Sequence, residues 1–139
     1  MSFEAVTARS SVLPHREWLR ANIYRESLKI AWNQFFESWD ILICPQQATT
    51  AFDHDHRKFS ERTLQVNNEE QPYFQQIFWA GMIVNSPLPS TVFPTGPSND
   101  GLPIGLQAVS GCYKDRSTIK FASLIANEIG GFIPPPDFA

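Results

Sequence analysis

A short run of alternating acidic and imidazole side chains is the first candidate for chemistry in this 139-residue sequence: Asp53, His54, Asp55 and His56. In an extended segment His54 and His56 would point to the same face, because side chains two residues apart share one face of a strand. Two imidazoles suit a zinc ion, which needs further protein ligands. No third ligand follows at a typical spacing, so a metal site stays an alternative to a solvated loop whose Asp side chains bond the nearby backbone.

The thiol of Cys44, which precedes both histidines in the chain, is a second candidate. A cysteine that meets a histidine in the fold can act as a nucleophile with its base. The alternative is a buried, inert thiol, since no lysine or helix N-terminus is visibly placed to activate it. The second cysteine, Cys112, adds neither a disulfide framework nor a zinc motif.

Serine chemistry lacks its usual sequence signals. The adjacent serines Ser10 and Ser11 have no glycine beside them, and the chain contains no G-x-S-x-G motif. A glycine-rich phosphate-binding loop is also missing. The residues by themselves therefore indicate no complete catalytic set.

The composition limits the classes of partner. Eleven Lys and Arg against fourteen Asp and Glu give a net charge of −3, which offers nucleic acid or an anionic membrane no attractive surface. Charged residues make up only 18%, against a usual share of about 25%, while the chain holds 11 Phe and 4 Trp. Some apolar surface is therefore expected to meet another molecule. With no membrane-length apolar run and no signal core at its start, we expect a reduced, cytoplasmic setting.

Hydrophobic periodicity predicts the order helix, strand, helix, strand, strand, helix, which is an α/β layer arrangement. The predicted elements are a helix over 15–39, a strand over 41–45 buried on both faces, a buried helix over 72–84, antiparallel strands over 90–94 and 104–109, and a helix that follows Asp115 and runs to about 129. Ser10 or Ser11 is expected to cap the first helix and Asp115 the last, with Gly130 ending it. We expect residues 1–13 to form a weakly ordered N-terminal segment and 14–139 to form the domain. The polar segment 46–71 is expected to be a long loop.

Seven segments, in this order, resemble the C-terminal part of the amidase signature family of amide hydrolases. They are FFESWDILICP (35–45), FDHDH (52–56), RTLQVNN (62–68), FWAG (78–81), LPSTVFPTG (88–96), DGLPIGLQ (100–107) and GGFIPP (130–135). No single segment is specific, but the ordered set covers nearly the whole chain after its first dozen residues.

The resemblance implies the closing portion of an α/β/α domain with a mixed sheet flanked by helices, and hydrolysis of amide bonds without metal or organic cofactor. The family uses a serine nucleophile, a second serine and a lysine, with backbone N–H groups that stabilise the oxyanion. In the family these catalytic groups lie before the region that this chain resembles, so no catalytic residue is assigned in this chain. By resemblance Cys44, Pro45 and Thr49 are candidate lining residues of the substrate pocket; the alternative is a plain turn at a strand end.

Three hypotheses about function follow. The chain is an amidase segment that is inactive alone and takes a small amide substrate only when an N-terminal portion completes it. Alternatively, it is a non-catalytic interaction module that self-associates or complements such a fragment. The third hypothesis is a metal-binding module built on His54 and His56. Unpaired sheet edges left by a missing portion are expected to cause oligomerisation or marginal stability.

Overall fold

A computed structural model describes residues 3–135 of the chain. Its helices are α1 (Phe3–Ser11), α2 (His15–Ser38), α3 (Phe78–Asn85) and α4 (Asp115–Ile129). Its strands are β1 (Leu42–Pro45), β2 (Thr63–Val66), β3 (Glu69–Pro72), β4 (Ser90–Pro97) and β5 (Pro103–Val109). Two short 3-10 helices, Phe59–Glu61 and Tyr73–Ile77, lie before β2 and before α3. None of the described helices has the length and apolar character needed to cross a bilayer.

The central strand of the larger sheet is β5, in the order β1-β5-β4. Val109 faces Leu42 of β1 on one side and Ser90 of β4 on the other, and both pairings are antiparallel. The antiparallel relation between β4 and β5 predicted from their short connection is thus confirmed. Every ladder in residues 3–135 is antiparallel, so the parallel pairing of a mixed sheet is not found in this part of the chain.

Helices pack on both faces of this sheet, which confirms the α/β layer arrangement. Since directly opposed residues share a face, Cys44 and Val109 mark one side, where Phe36 of α2 and Ile83 of α3 join them in the core. The opposite side carries α4. Its Phe121 packs edge to face on Phe93 of β4, with ring centroids 5.9 Å apart.

Buried polar side chains tie the strands to distant backbone. Gln107 of β5 donates from Nε2 to the carbonyl of Pro45 at 2.9 Å and accepts at Oε1 from the Ser90 hydroxyl at 2.8 Å. Just beyond β5, the fully buried Ser110 hydroxyl donates to the carbonyl of Asp40 at 2.8 Å. Gln107 of β5 therefore holds the C-terminal end of β1, and Ser110, which follows β5, holds the segment just before its N-terminal end.

The predicted helix over 15–39 is confirmed as α2, but its start differs from expectation. Ser10 and Ser11 do not cap it. They lie in α1 and donate to the carbonyls of Val6 and Thr7 at 2.9 and 3.0 Å, while Pro14 precedes α2. A helix thus occupies most of a segment expected to be weakly ordered, although its described side chains from residue 4 onward are exposed.

The last helix also differs at its cap. Asp115 is the first residue of α4 rather than its N-cap, a position that Lys114 holds without a side-chain bond. The hydroxyl of Thr118 instead donates to the Asp115 carbonyl at 2.8 Å. The predicted end is confirmed, because Gly130 has φ +91°, a value that side chains disfavour.

Two predicted burials are wrong. Cys44 is buried, but its neighbour Ile43, which points to the opposite face of β1, is 48% exposed. The segment predicted as one buried helix over 72–84 is a 3-10 helix followed by α3, with Phe78 62% and Val84 75% exposed. No element of residues 3–135 covers these side chains, so apolar character predicted a burial that the described packing does not provide.

The segment expected to be a long loop contains a hairpin formed by β2 and β3. Its two turn residues, Asn67 and Asn68, have φ of 52° and 66°. Asparagine tolerates this left-handed region, and turns with two such residues match the twist of paired strands. The Asn-Asn pair between two short strands was the available sequence signal.

Replacing Gln107 with Leu should lower the free energy of unfolding by about 2 kcal/mol, because two part-buried hydrogen bonds are lost and the half-buried carbonyl of Pro45 loses this donor. Urea unfolding followed by circular dichroism measures the change. The matched control is Gln65→Leu on β2, where the side chain is exposed and a change within about 0.5 kcal/mol is expected. Equal effects of the two substitutions would contradict the role assigned to Gln107.

Candidate functional site

A cavity of about 740 Å³ lies along the 3-10 helix Tyr73–Ile77 and α3. Aromatic and aliphatic side chains form much of its wall, among them Phe74, Phe78, Trp79 and Met82. Pockets that bind small molecules have volumes of about 300–1,000 Å³ and apolar walls with a few polar groups. The cavity therefore has the size and lining of a small-molecule site.

The 3-10 helix that carries one wall is anchored to the preceding hairpin and loop. The Tyr73 N–H donates to the carbonyl of Arg62 at 3.0 Å. The Tyr73 ring packs edge to face on Phe59 and Phe52, with centroids 5.5 and 5.9 Å away. Its last turn continues directly into α3, so the wall residues of both helices are positioned together.

Gln76 is the polar residue that distinguishes this wall. Its side chain is 7% exposed, and neither its Nε2 nor its Oε1 has a hydrogen-bond partner. Among the described residues, the other buried side-chain oxygens without partners belong to Thr49 and Ser86. These two residues directly follow Ala48 and Asn85, which line the cavity. An unpaired buried polar group costs about 1–3 kcal/mol, and of these three residues only Gln76 lines the cavity.

Sequence reasoning did not identify Gln76. The spacing of Gln75 and Gln76 in an apolar run gives no sign that one amide is buried and the other exposed. The one signal would be that Gln76 lies on the inner side of an otherwise apolar helix. That position can be recognised only when the 3-10 geometry of the segment is known.

The three predicted pocket residues lie in different surroundings. Cys44 is in the core, where burial raises the pKa of its thiol and a weaker hydrogen bond with Gln107 opposes this. A raised pKa keeps the thiol neutral, which does not suit a nucleophile. Pro45 contributes its carbonyl to Gln107. Neither lines the cavity, whereas Thr49 adjoins it through Ala48. Their role in a substrate pocket stays a prediction.

The structure brings the two predicted histidines together. The rings of His54 and His56 have centroids 6.1 Å apart and line a smaller cavity of about 290 Å³, with Arg62 and Tyr73 on its wall. Cys44 is not among the residues of this wall. Within residues 3–135 no three His, Cys, Asp or Glu side chains converge as they would around a metal ion.

The carboxylate between the histidines is already engaged. Asp55 Oδ2 lies 2.7 Å from Nη2 of Arg57, and Asp55 Oδ1 accepts the Arg57 backbone N–H at 2.9 Å. Hydrogen bonds from the Arg57 side chain and backbone lower the pKa of Asp55 to about 2. Arg57 therefore competes with any cation for this carboxylate.

Comparison with known proteins identifies relatives of the chain. A sequence profile of the family described as Amidase matches residues 4–119. The chain is 27% identical over 135 residues to an indoleacetamide hydrolase of Bradyrhizobium diazoefficiens, covering 93% of this chain and 24% of that protein. It is 34% identical over 93 residues to a glutamyl-tRNA(Gln) amidotransferase subunit of Rippkaea orientalis, covering 67% of this chain and 17% of that protein.

Solved structures show the same fold. One is a structure described as a vestigial protein complex that reveals the evolutionary origins of an s-triazine catabolic enzyme. It superimposes with a TM-score of 0.69 at 24% identity, over 86% of this chain and 26% of its own. A glutamyl-tRNA(Gln) amidotransferase subunit of Thermotoga maritima gives a TM-score of 0.65 at 20% identity, over 100% of this chain and 31% of its own. The chain thus spans about a quarter of the length of these relatives.

The pair formed by Asp55 and Arg57 predicts a pH effect. Replacing Arg57 with Gln should raise the pKa of Asp55 from about 2 toward its ordinary value of 3.8. Because the folded pKa is depressed, the pair contributes stability that is complete above 3.8 and is lost as the pH falls toward about 2. The variant should show a weaker dependence, because only the backbone N–H of residue 57 still donates to Asp55. Carbon-13 NMR titration of the Asp55 carboxyl group measures the shift.

The control for this titration is Lys58→Gln, which removes a neighbouring cation that does not contribute to the shift. It should leave the Asp55 titration unchanged. A normal pKa of Asp55 in the unsubstituted chain would contradict the geometry.

Proposed function

The chain belongs to the amidase family, and from that premise we propose that it serves in the hydrolysis of carbon–nitrogen amide bonds as the C-terminal part of a larger catalytic unit. The single observation that carries this proposal is the family match over residues 4–119, together with a fold shared with amidase relatives. The serine, second serine and lysine implied by the family resemblance have no assigned counterpart in this chain. It is therefore proposed to be inactive alone.

In this proposal the chain contributes structure and a wall rather than the reacting groups. The apolar side chains of the 740 Å³ cavity would exclude water from a bound small amide. Thr49, which adjoins the cavity, is the best supported of the three proposed lining residues, and Cys44 and Pro45 hold the strand that precedes it. The proposal includes no metal or organic cofactor, and it includes a reduced, cytoplasmic setting, in keeping with two free thiols.

A second candidate function, an interaction module, is favoured by the exposed apolar surface. On α2, Ile23 and Tyr24 are both largely exposed, as are Phe78 and Val84 on α3. Large exposed apolar areas mark sites of association in proteins. The proposed partner is an N-terminal amidase portion or a second copy of the chain.

A chimera tests the hydrolase proposal. The C-terminal quarter of the Bradyrhizobium diazoefficiens indoleacetamide hydrolase is replaced by this chain, and hydrolysis of indole-3-acetamide is followed by ammonia release. We expect turnover by the chimera at least about 100-fold above the truncated relative without a replacement, a loss typical of a disrupted active site.

The isolated chain is the control and should give no turnover. A folded chimera without activity would contradict the proposal that this chain completes an amide hydrolase. Turnover by the chain alone, abolished by a substitution within it, would contradict the assignment of catalysis to another portion.

Light scattering tests the interaction proposal. The purified chain should have a mass above its monomer value of 15.8 kDa and should bind an apolar dye. The double substitution Phe78→Gln and Val84→Gln should reduce both, because it removes apolar side chains that are already exposed. A folded monomer that binds no dye would argue against this function.

A further inference from the structure

We propose that α2 pairs with α2 of a second copy of this chain, antiparallel about a two-fold axis, through an exposed seam formed by Leu19, Ile23 and Ile30. The inference rests on the interaction module proposed above and names its surface and its partner. It does not require the chain to take part in amide hydrolysis.

The α2 seam is an apolar stripe on a face of the helix that the core does not use. Leu19 is 44%, Ile23 69% and Ile30 58% exposed. Their positions in the sequence place them on one side of a helix with about 3.6 residues per turn, as the a and d positions of a coiled coil are. Trp32 and Phe36 join the core from a different side of α2, which leaves the seam open to another molecule.

The accessible surface of the chain is larger than its mass requires. It measures 10623 Å², whereas a folded monomer of 15.8 kDa exposes about 7,300 Å². A standard protein–protein interface buries about 800 Å² on each partner. The excess is therefore large enough for an interface on α2 in addition to one on α3.

The charges along α2 favour an antiparallel pair. Over 15–29 the helix carries four basic and two acidic side chains, whereas over 30–38 its one charged side chain is Glu37. A parallel pair would set the two basic halves side by side. An antiparallel pair sets each basic half beside the acidic end of the other copy, and such complementary charges determine the orientation of partners.

The two isoleucines determine the register. When Ile23 of one copy packs against Ile30 of the other, Arg16 of each copy lies opposite Glu37 of the other, at the two ends of the interface. In a two-fold interface every contact occurs twice. A single register therefore gives two apolar layers and two pairs of opposite charge.

The end charges remain available to a second copy. Arg16 lies 3.3 Å from Oε1 of Glu17, but Arg20 already bonds that oxygen at 2.8 Å. Among the described residues, Glu37 takes part in no ion pair. Opposite charges are thus free to meet in the antiparallel register.

Glu26 is the acidic residue nearest the two-fold axis, where the two copies would face each other. Its carboxylate lies 3.1 Å from Nη2 of Arg25 and 3.8 Å from Nζ of Lys29. Because both cations belong to the same helix, the axis carries no uncompensated negative charge.

Sedimentation equilibrium tests the proposal in the variant Phe78→Gln, Val84→Gln, which removes exposed apolar side chains of α3 and isolates the α2 seam. We expect this variant to be a dimer of twice 15.8 kDa. Adding Ile23→Lys should raise its dissociation constant at least about 100-fold, because the two-fold axis places the ammonium group twice in an apolar layer.

The matched control is Tyr24→Lys in the same variant. Tyr24 has the same 69% exposure as Ile23 and lies beside it in the sequence, but on another face of α2. The dissociation constant should stay unchanged. A monomeric Phe78→Gln, Val84→Gln variant, or equal effects of the two lysine substitutions, would overturn the proposal.

Charge reversals test the antiparallel register. Arg16→Glu and Glu37→Arg should each raise the dissociation constant about tenfold, because like charges then meet twice in the dimer. The two substitutions together should restore the original value, since the opposite charges meet again with their positions exchanged. A combined variant that dimerises no better than either single one would overturn the register.

The outcomes separate this inference from the functions proposed above. All substituted positions on α2 are exposed, so circular dichroism should show the same helix content in every variant, and restoration by the combined reversal excludes unfolding as the cause of dissociation. Loss of all association on substitution of α3 would overturn the α2 seam and leave the interaction module in place. Because assembly is measured without turnover, failure here is also distinct from failure of the hydrolase chimera.

Discussion

Hydrogen bonds from β5, and from the residue that follows it, to distant backbone fix the position of β1 at the edge of the sheet. Gln107 reaches a carbonyl 62 residues earlier in the chain, and Ser110 one 70 residues earlier. Through them the central strand holds both ends of β1 while it pairs with β4 on its other side. The core around Phe36 can close only on strands in this register, because a slip by one residue would turn Cys44 away from it. Burial in this core also raises the pKa of the Cys44 thiol, which favours its neutral form.

The layers built on this sheet are unevenly covered. α4 packs on β4, yet Phe78 and Val84 of α3 remain largely exposed and Ile43 of β1 is about half exposed. Charged residues make up only 18% of the sequence, and these exposed apolar surfaces are consistent with that low share. The chain spans about a quarter of the length of its relatives, and the larger catalytic unit proposed above would cover such faces. The proposed hydrolase part and the proposed interaction module thus depend on the same apolar surface.

The wall of the apolar cavity includes Gln76, whose buried amide has no hydrogen-bond partner. Proteins generally satisfy buried polar atoms, and departures from that rule concentrate at sites of function. The Gln76 amide, with Thr49 and Ser86 next to cavity residues, is such a departure. The histidine cavity differs in its chemistry, because two carboxylates line it and one of them, Asp55, is paired with Arg57. The residues that line the apolar cavity include no charged side chain.

The elements with local sequence signals, and the resemblance of the chain to a family, can be predicted without the tertiary structure. The repeat of apolar residues predicts α2, the short connection predicts the antiparallel β4 and β5, Gly130 predicts the end of α4, and the ordered segments resemble amidases. Local reasoning missed the hairpin turned by Asn67 and Asn68, although its signal was present. Tertiary structure alone decided that Phe78 is exposed while Gln76 is buried, and that Ile43 lacks cover. Burial depends on which distant segments pack against a residue, and neither apolar character nor periodicity contains that information.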